Sequence, residues 1–239
     1  GIGVLALREP HTARNPGPVR IAKPAVPVEI RGDFWFSALG VMASWSVLGV
    51  LLSLYPSLAA RQTHIDNLVF GGAVVGTTAF AAAMAQLAAT RLPARYSAII
   101  GDVGMALSLV LTIPVLMTHR WPLVFVAAVL LGVTFGLGFG GSLRHLSDVV
   151  PADRRGETMS AFYLVAYTAM AVPTLVAGWA ATRWELSAVF PWFAGSVAAA
   201  CLIAAAVGLY GMRTPGSARG RGLGELIADQ SGTVGDHSH

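Results

Sequence analysis

The sequence predicts an all-α integral membrane protein with six transmembrane helices. Hydrophobic residues make up 55% of its 239 residues and charged residues only 12%, and the mean hydropathy is +0.65. A soluble globular domain does not have such a composition. Six runs are almost free of charge and have the length, about 20 apolar residues, that a helix needs to cross a bilayer. The predicted spans are 34–58, 68–89, 98–117, 123–143, 159–181 and 188–212.

Polar segments flank the six-helix transmembrane domain, which occupies residues 34–212. Residues 1–33 open with "GIGVLALREP", which resembles the end of a preceding helix, and continue as a cytosolic linker rich in proline and arginine. Residues 213–239 are rich in glycine and are predicted to be a disordered cytosolic tail. Because the chain starts at Gly1 without the features of a signal peptide, we expect a fragment that at least one further span precedes.

The distribution of basic residues predicts the orientation in the membrane. Thirteen Lys and Arg residues fall on the side of the linker, the tail and the second-to-third and fourth-to-fifth connections, against three on the other side. Cytosolic loops retain positive charge, so both ends of the chain are predicted to lie in the cytosol. Fifteen arginines against one lysine, with abundant alanine and glycine, fit GC-rich coding DNA and indicate a bacterial plasma (inner) membrane.

Glycines at every fourth position predict close helix packing in the fourth span. Gly132, Gly136 and Gly140 give that helix one flat face, against which another backbone can approach closely. The same face also suits helices that slide past each other during a conformational cycle, and the sequence does not separate these two interpretations.

Aromatic and hydroxyl side chains within the spans are candidates for a substrate cavity. Trp45 lies near the middle of the first span beside Ser44, where it either stacks on a substrate or packs between helices. Tyr163 and Tyr167 share one face of the fifth span, since they are four residues apart. They line a cavity or form hydrogen bonds between helices.

Asp102 is the only acid inside a predicted span, and ionisable groups within the membrane are candidates for function because burying an unpaired charge is costly. Two interpretations remain open. Asp102 takes part in proton coupling, or it pairs with Arg91, Arg95 or Arg144 as a structural clamp.

The sequence argues against an enzyme and against several kinds of binding site. In "GGSLRH", Leu143 stands where the nucleophile motif of an intramembrane serine protease has glycine, and no span contains His-Glu-x-x-His. Asp102 has no second intramembrane acid with which to form an aspartyl dyad. The arginines form short clusters between apolar runs, which disfavours nucleic-acid binding. We predict no cofactor and no metal site.

The connection and helix "VVPADRRGETMSAFYLVAYTAMAVPTLVAGWAATR" (149–183) resemble those of the major facilitator superfamily. The matching positions are Pro151, Arg155, Gly156, Pro173 and Gly178. A weaker resemblance lies in "QLAATRLPAR" (86–95), which occupies the place of the family's Gly-x-x-x-Asp-Arg-x-Gly-Arg-Arg stretch. Only the two arginines match there, and Thr90 replaces the aspartate of the family's cytosolic gate.

The resemblance implies the C-terminal half of a twelve-helix transporter, a 3+3 inverted repeat with the substrate site between the halves. It implies that the first and fourth spans line the cavity, the second and fifth meet the missing N-terminal six-helix half, and the third and sixth face lipid. The implied function is secondary active transport of a small molecule, with proton-coupled efflux as the first expectation. Alternatives are an uptake permease, a six-span membrane scaffold or assembly protein, and a membrane enzyme. Pro173 and Gly178 join the helix-packing residues, and the candidates for ion coupling or for a cytosolic gate are Asp102, Arg91, Arg95, Arg144 and Arg155.

Overall fold

The computed structural model describes residues 26–53, 68–118 and 120–213. The predicted linker before residue 26, the end of the first span after residue 53, the tail after residue 213 and the loop that contains Arg61 lie outside the described residues.

Six long α-helices dominate the described chain, and each coincides with one predicted span. Three short 3₁₀ segments accompany them, at Val28–Ile30, Ala89–Arg91 and Ala152–Arg154. No strand occurs among the described residues. Several helices extend beyond the apolar runs into the polar residues that flank a span. The helices are α1 (Arg31–Ser53), α2 (Leu68–Ala88), α3 (Ala94–Met117), α4 (Trp121–Val149), α5 (Arg155–Ala181) and α6 (Leu186–Arg213).

Five segments within the described residues are long and apolar enough to cross a membrane. They correspond to α2 through α6 and run Val69–Arg91, Ala94–Val115, Trp121–Val149, Ala152–Ala181 and Ala188–Gly211. The chain is therefore a multi-pass membrane protein by helix length and composition. Helix α1 is not among the five, so the sixth span and the 3+3 repeat stay predictions.

Helix α4 packs against both α2 and α3, and glycines permit the close approach. A Cβ atom on Gly132 or Gly136 would collide with the backbone carbonyls of Thr78 and Ala82 in α2. In the same way, a Cβ on Gly101 of α3 would collide with the backbone of Gly138 in α4. The fourth-span glycine repeat thus lies in a real helix interface, with Gly140 against the side chain of Gln86.

Gly178 has no packing partner among the described residues, and its predicted packing role stays a prediction. No described atom lies within 4 Å of the position that its Cβ would occupy. The reason is that α5 packs mainly on α1 and makes few contacts with α6 in the described chain, so no neighbouring backbone reaches this glycine.

Pro173 lies inside α5, and its missing N–H is compensated by a neighbouring helix. Proline at this position cannot donate to the carbonyl of Ala169, four residues earlier. Ser46 of α1 donates to that carbonyl at 2.9 Å, and it also approaches the Met42 carbonyl in its own helix at 2.8 Å. A proline in a membrane helix is tolerated when such a hydroxyl satisfies the freed carbonyl.

We predict that Ser46→Ala lowers the free energy of unfolding by about 0.5 to 2 kcal/mol, because the Ala169 carbonyl is left without a donor. The measurement is unfolding in detergent micelles, followed by tryptophan fluorescence. Ser196→Ala is the control, since this exposed serine bonds only within its own helix in the structure. It should change stability by less than about 0.5 kcal/mol. Equal effects of the two substitutions would contradict the role of Ser46.

Candidate functional site

Charged side chains from three helices meet at one end of the bundle. Asp33, in the first turn of α1, accepts a hydrogen bond from His145 Nε2 of α4 at 2.9 Å. The same oxygen, Oδ1, lies 3.5 Å from Arg95 Nη1 of α3. We call this group of Asp33, Arg95 and His145 the charged cluster.

Arg95 extends the charged cluster to a fourth helix. Its Nε and Nη2 donate to the Gly208 carbonyl of α6 at 3.3 and 3.1 Å. Its guanidinium also lies 5.0 Å from the centre of the Phe36 ring, a favourable cation–π geometry. One arginine therefore holds α1, α3 and α6 together at this end of the bundle.

The charged cluster keeps Asp33 ionised. Asp33 precedes the apolar run that begins at Phe34. The hydrogen bond from His145 lowers the pKa of Asp33 below its ordinary value of 3.8, against the opposing effect of partial burial, and the charges of His145 and Arg95 lower it further. Asp33 and His145 were not predicted as site residues, although an acid directly before a span is a signal that could have pointed to Asp33.

The other arginines predicted to act in coupling or gating bind backbone carbonyls or face solvent. Arg144 donates to the carbonyls of Gly140 and Leu92, both at 3.3 Å, and so links α4 to the α2–α3 connection. Arg155 donates to the Ser147 carbonyl at 3.1 Å, near the end of α4. Arg91 is exposed. Their roles in a gate stay predictions.

Asp102 is completely buried in α3, with an exposed fraction of 0%. Neither of its carboxyl oxygens has a hydrogen-bond partner among the described residues, so the clamp with Arg91, Arg95 or Arg144 does not form in this structure. The reason is geometric. Arg95 lies two turns earlier on the same helix and is bound to Asp33 instead.

Aromatic rings from α1, α4 and α5 form a second feature, which we call the aromatic face. The ring of Trp45 lies 4.9 Å from that of Tyr167 and 5.8 Å from that of Phe139, both edge to face. The rings of Tyr163 and Tyr167 are 6.4 Å apart, and Phe135 stacks on Phe139 at 5.8 Å. The structure thus brings together three of the four residues predicted for a substrate cavity.

A shallow depression of about 580 Å³, open to the surface and lined by α5 alone, borders the aromatic face. Its lining consists of Met159, Ser160, Tyr163, Leu164 and Tyr167. The side chains are aromatic, apolar or uncharged, a composition typical of sites that take small organic molecules.

Ser44 lies on a different side of α1 from the aromatic face, contrary to its predicted place in the cavity. It is fully buried, donates to the Gly40 carbonyl at 2.8 Å and approaches Gly138 of α4. Adjacent residues on a helix point about 100° apart, and in this structure Ser44 points toward α4 while Trp45 points toward the aromatic face.

Within the described residues, no group of three or more His, Cys, Asp or Glu side chains is placed to hold a metal ion. The charged cluster forms ion pairs and hydrogen bonds. The aromatic face can stack on a ligand, and Asp102 can carry a proton.

A family model described as the Major Facilitator Superfamily matches residues 34–229. This range includes α2 through α6 completely and all of α1 after its first three residues. No curated protein and no solved structure matches the chain.

We predict that Asp33→Ala lowers the free energy of unfolding by about 1 kcal/mol, a modest loss because water screens a side chain that is 35% exposed. Since the pKa of Asp33 is lowered in the fold, this contribution is complete above the ordinary pKa of 3.8 and disappears as pH falls through the lowered pKa. Denaturant unfolding at several pH values measures it.

Asp153→Ala is the matched control for Asp33→Ala. Its side chain is 79% exposed and lies 4.0 Å from Arg154, so the substitution should change stability by less than about 0.5 kcal/mol. A loss with Asp33→Ala that is no larger than with Asp153→Ala would show that the charged cluster does not stabilise the bundle.

Proposed function

The chain belongs to the major facilitator superfamily, and on this premise we propose that it is the C-terminal six-helix half of a secondary active transporter. It moves a small molecule by alternating access between the two faces of the plasma membrane. Transport is efflux driven by the entry of protons. A multi-pass membrane protein of this family is a transporter rather than an enzyme, and we assign it no catalytic residue.

The burial of Asp102 is the observation that carries the proposed proton coupling. An unpaired carboxylate in an apolar interior costs several kcal/mol, so such a group is retained where a function requires it. Asp102 binds a proton in one conformation and releases it in another. The charged cluster does not compete for this role, because its three members are bound to one another.

The aromatic face is the proposed substrate site of this half. The face is formed by Trp45 of α1, Phe139 of α4 and Tyr167 of α5. In the family resemblance, α1 and α4 correspond to helices that line the cavity, and α5 corresponds to a helix that meets the other half. No charged residue lines the adjoining depression. The face therefore suits a flat, mainly apolar molecule that stacks on aromatic rings.

Two further observations support the proposed arrangement in the membrane. Most arginines of the described chain lie at the end of the bundle that holds the charged cluster, while Arg120 and Arg183 lie at the other, which favours a cytosolic location for that cluster. Large apolar side chains are exposed on α2 and α5, and also on α3 and α6, as expected of helices that face either lipid or the other half of a transporter. They include Phe80, Met84, Leu175 and Trp179.

Transport should depend on Asp102 and on the proton gradient. Inside-out membrane vesicles that contain the full-length protein are acidified, and the quenching of a fluorescent acridine dye reports the gradient. Addition of a transported compound from a panel of flat aromatic molecules should release protons and restore fluorescence. Asp102→Asn should abolish the release, whereas Asp153→Asn, a change at an exposed acid, should not alter it.

The same vesicles separate efflux from uptake. An exchanger that expels its substrate releases protons when the compound is added outside, whereas an uptake permease does so only from vesicles loaded with the compound. Transport that is indifferent both to Asp102→Asn and to an uncoupler would contradict the proposed coupling.

Stacking on Trp45 should contribute to substrate affinity. We expect Trp45→Ala to raise the half-maximal compound concentration about tenfold, the equivalent of about 1.4 kcal/mol. Trp192→Ala removes a tryptophan that is 84% exposed on α6, outside the aromatic face, and should leave the concentration unchanged. An equal effect of both substitutions would show that the aromatic face does not bind the substrate.

A further inference from the structure

Three buried polar atoms that have no hydrogen-bond partner among the described residues lie near the place where α1, α3 and α4 pack together. They are Asp102 Oδ1, Asp102 Oδ2 and Ser142 Oγ, and both residues are fully buried. A Cβ atom on Gly40 of α1 would lie 2.6 Å from Ser142 Oγ and 3.2 Å from Asp102 Oδ2. The two side chains therefore face each other across the bare Cα of Gly40.

Ser44 approaches the other carboxyl oxygen. A Cβ atom on Gly138 would lie 3.2 Å from Asp102 Oδ1 and 3.4 Å from Ser44 Oγ. Ser44 already donates its hydroxyl hydrogen to the Gly40 carbonyl at 2.8 Å, so its oxygen is left as an acceptor. A protonated carboxyl group can donate to this oxygen, whereas a carboxylate cannot.

The space around Asp102 favours a proton over a metal ion. Gly40 and Gly138 border the carboxyl group so closely that a single methyl group on either would touch an oxygen. A metal ion needs a shell of several oxygen ligands, whereas a proton needs no volume.

We propose that Ser142 and Ser44 are positioning residues for the proton on Asp102, an inference that rests on the proposed proton coupling. When Asp102 is protonated, Ser142 Oγ donates to Oδ2, and Oδ1 donates its proton to Ser44 Oγ. Together with the bond from Ser44 to the Gly40 carbonyl, these bonds form one chain from α4 through α3 to α1. The proton enters from water and returns to water, and no other covalent bond changes.

Release of the proton reverses the bond between α3 and α1. The Ser44 hydroxyl turns from the Gly40 carbonyl and donates to Oδ1 of the carboxylate, while Ser142 still donates to Oδ2. Ser44 precedes Trp45, which belongs to the aromatic face. A displacement of α1 on proton release is thereby transmitted to the proposed substrate site.

The titratable groups near this chain of hydrogen bonds are few in the described part of the protein. On α6, the buried Cys201 thiol interacts electrostatically with Asp102. Asp33 of α1, Arg95 of α3 and His145 of α4 lie nearer the charged end of the bundle and bind one another. The serine hydroxyls are thus the groups that face the carboxyl oxygens directly.

Infrared difference spectra of the purified full chain, recorded between acidic and alkaline pH, test the proposal. A protonated Asp102 gives a carbonyl-stretch band that Asp102→Asn removes. Ser142→Ala should shift this band to higher frequency, because the carbonyl oxygen loses its donor. Ser142→Thr should return the band to its original frequency. Ser108→Ala removes a buried serine that bonds within α3, and it should leave the frequency unchanged.

Ser44→Ala should act on the titration of the band. Ser44 donates a charge-assisted bond to the carboxylate that is stronger than the bond it accepts from the neutral acid. Its loss should therefore raise the pH at which the band disappears by about one unit, a tenfold gain in proton affinity. If Ser142→Ala does not fold, Ser142→Cys, a weaker donor of similar size, should give a smaller upward shift.

The outcomes separate this inference from the proposed function. A band that depends on Asp102 but is unchanged in frequency and titration by all the serine substitutions overturns the inference alone, while uncoupler-sensitive transport still supports proton coupling. The absence of any band that depends on Asp102, across the whole pH range, overturns both.

Discussion

The close approach of α4 to its neighbours is the constraint on which the rest of the structure depends. The hydrophobic effect does not drive helices together inside a bilayer, so close packing must hold them together. Gly136 lies against the backbone of Ala82 in α2, and Gly138 lies against Gly101 in α3. At such distances only small groups fit between helices. Ser142, Ser44 and the carboxyl group of Asp102 consequently border the bare backbone of Gly40 and Gly138, where one added methyl group would already touch an oxygen.

The charged cluster provides the complementary polar contact at the end of the bundle. Arg95 matches an arginine of the superfamily's cytosolic motif, but Thr90 stands where that motif has its acid. In this chain the acid comes from the start of α1 instead, since Asp33 contacts both Arg95 and His145. The arginine is thus paired with an acid from a different helix.

Helix positions were predictable because a membrane span needs a long apolar run, and such runs are visible in the sequence. The close approach of helices at the fourth-span glycines followed from their spacing, and Asp102 was a candidate because acids are rare in a span. The rotation of each helix was not predictable, since it depends on which neighbours pack where. For that reason the burial of Ser44 near α4 was not foreseen, and neither was the partnership of Asp33 with His145, 112 residues away in the chain.

The contact between Arg95 and Gly208 has a consequence for biogenesis. Helices enter the membrane in the order of their synthesis, and α6 is the last of the six in the chain. Until α6 is inserted, the guanidinium of Arg95 lacks the Gly208 carbonyl that accepts two of its hydrogen bonds. The bond between α3 and α6 can therefore form at this end only after translation has passed α6.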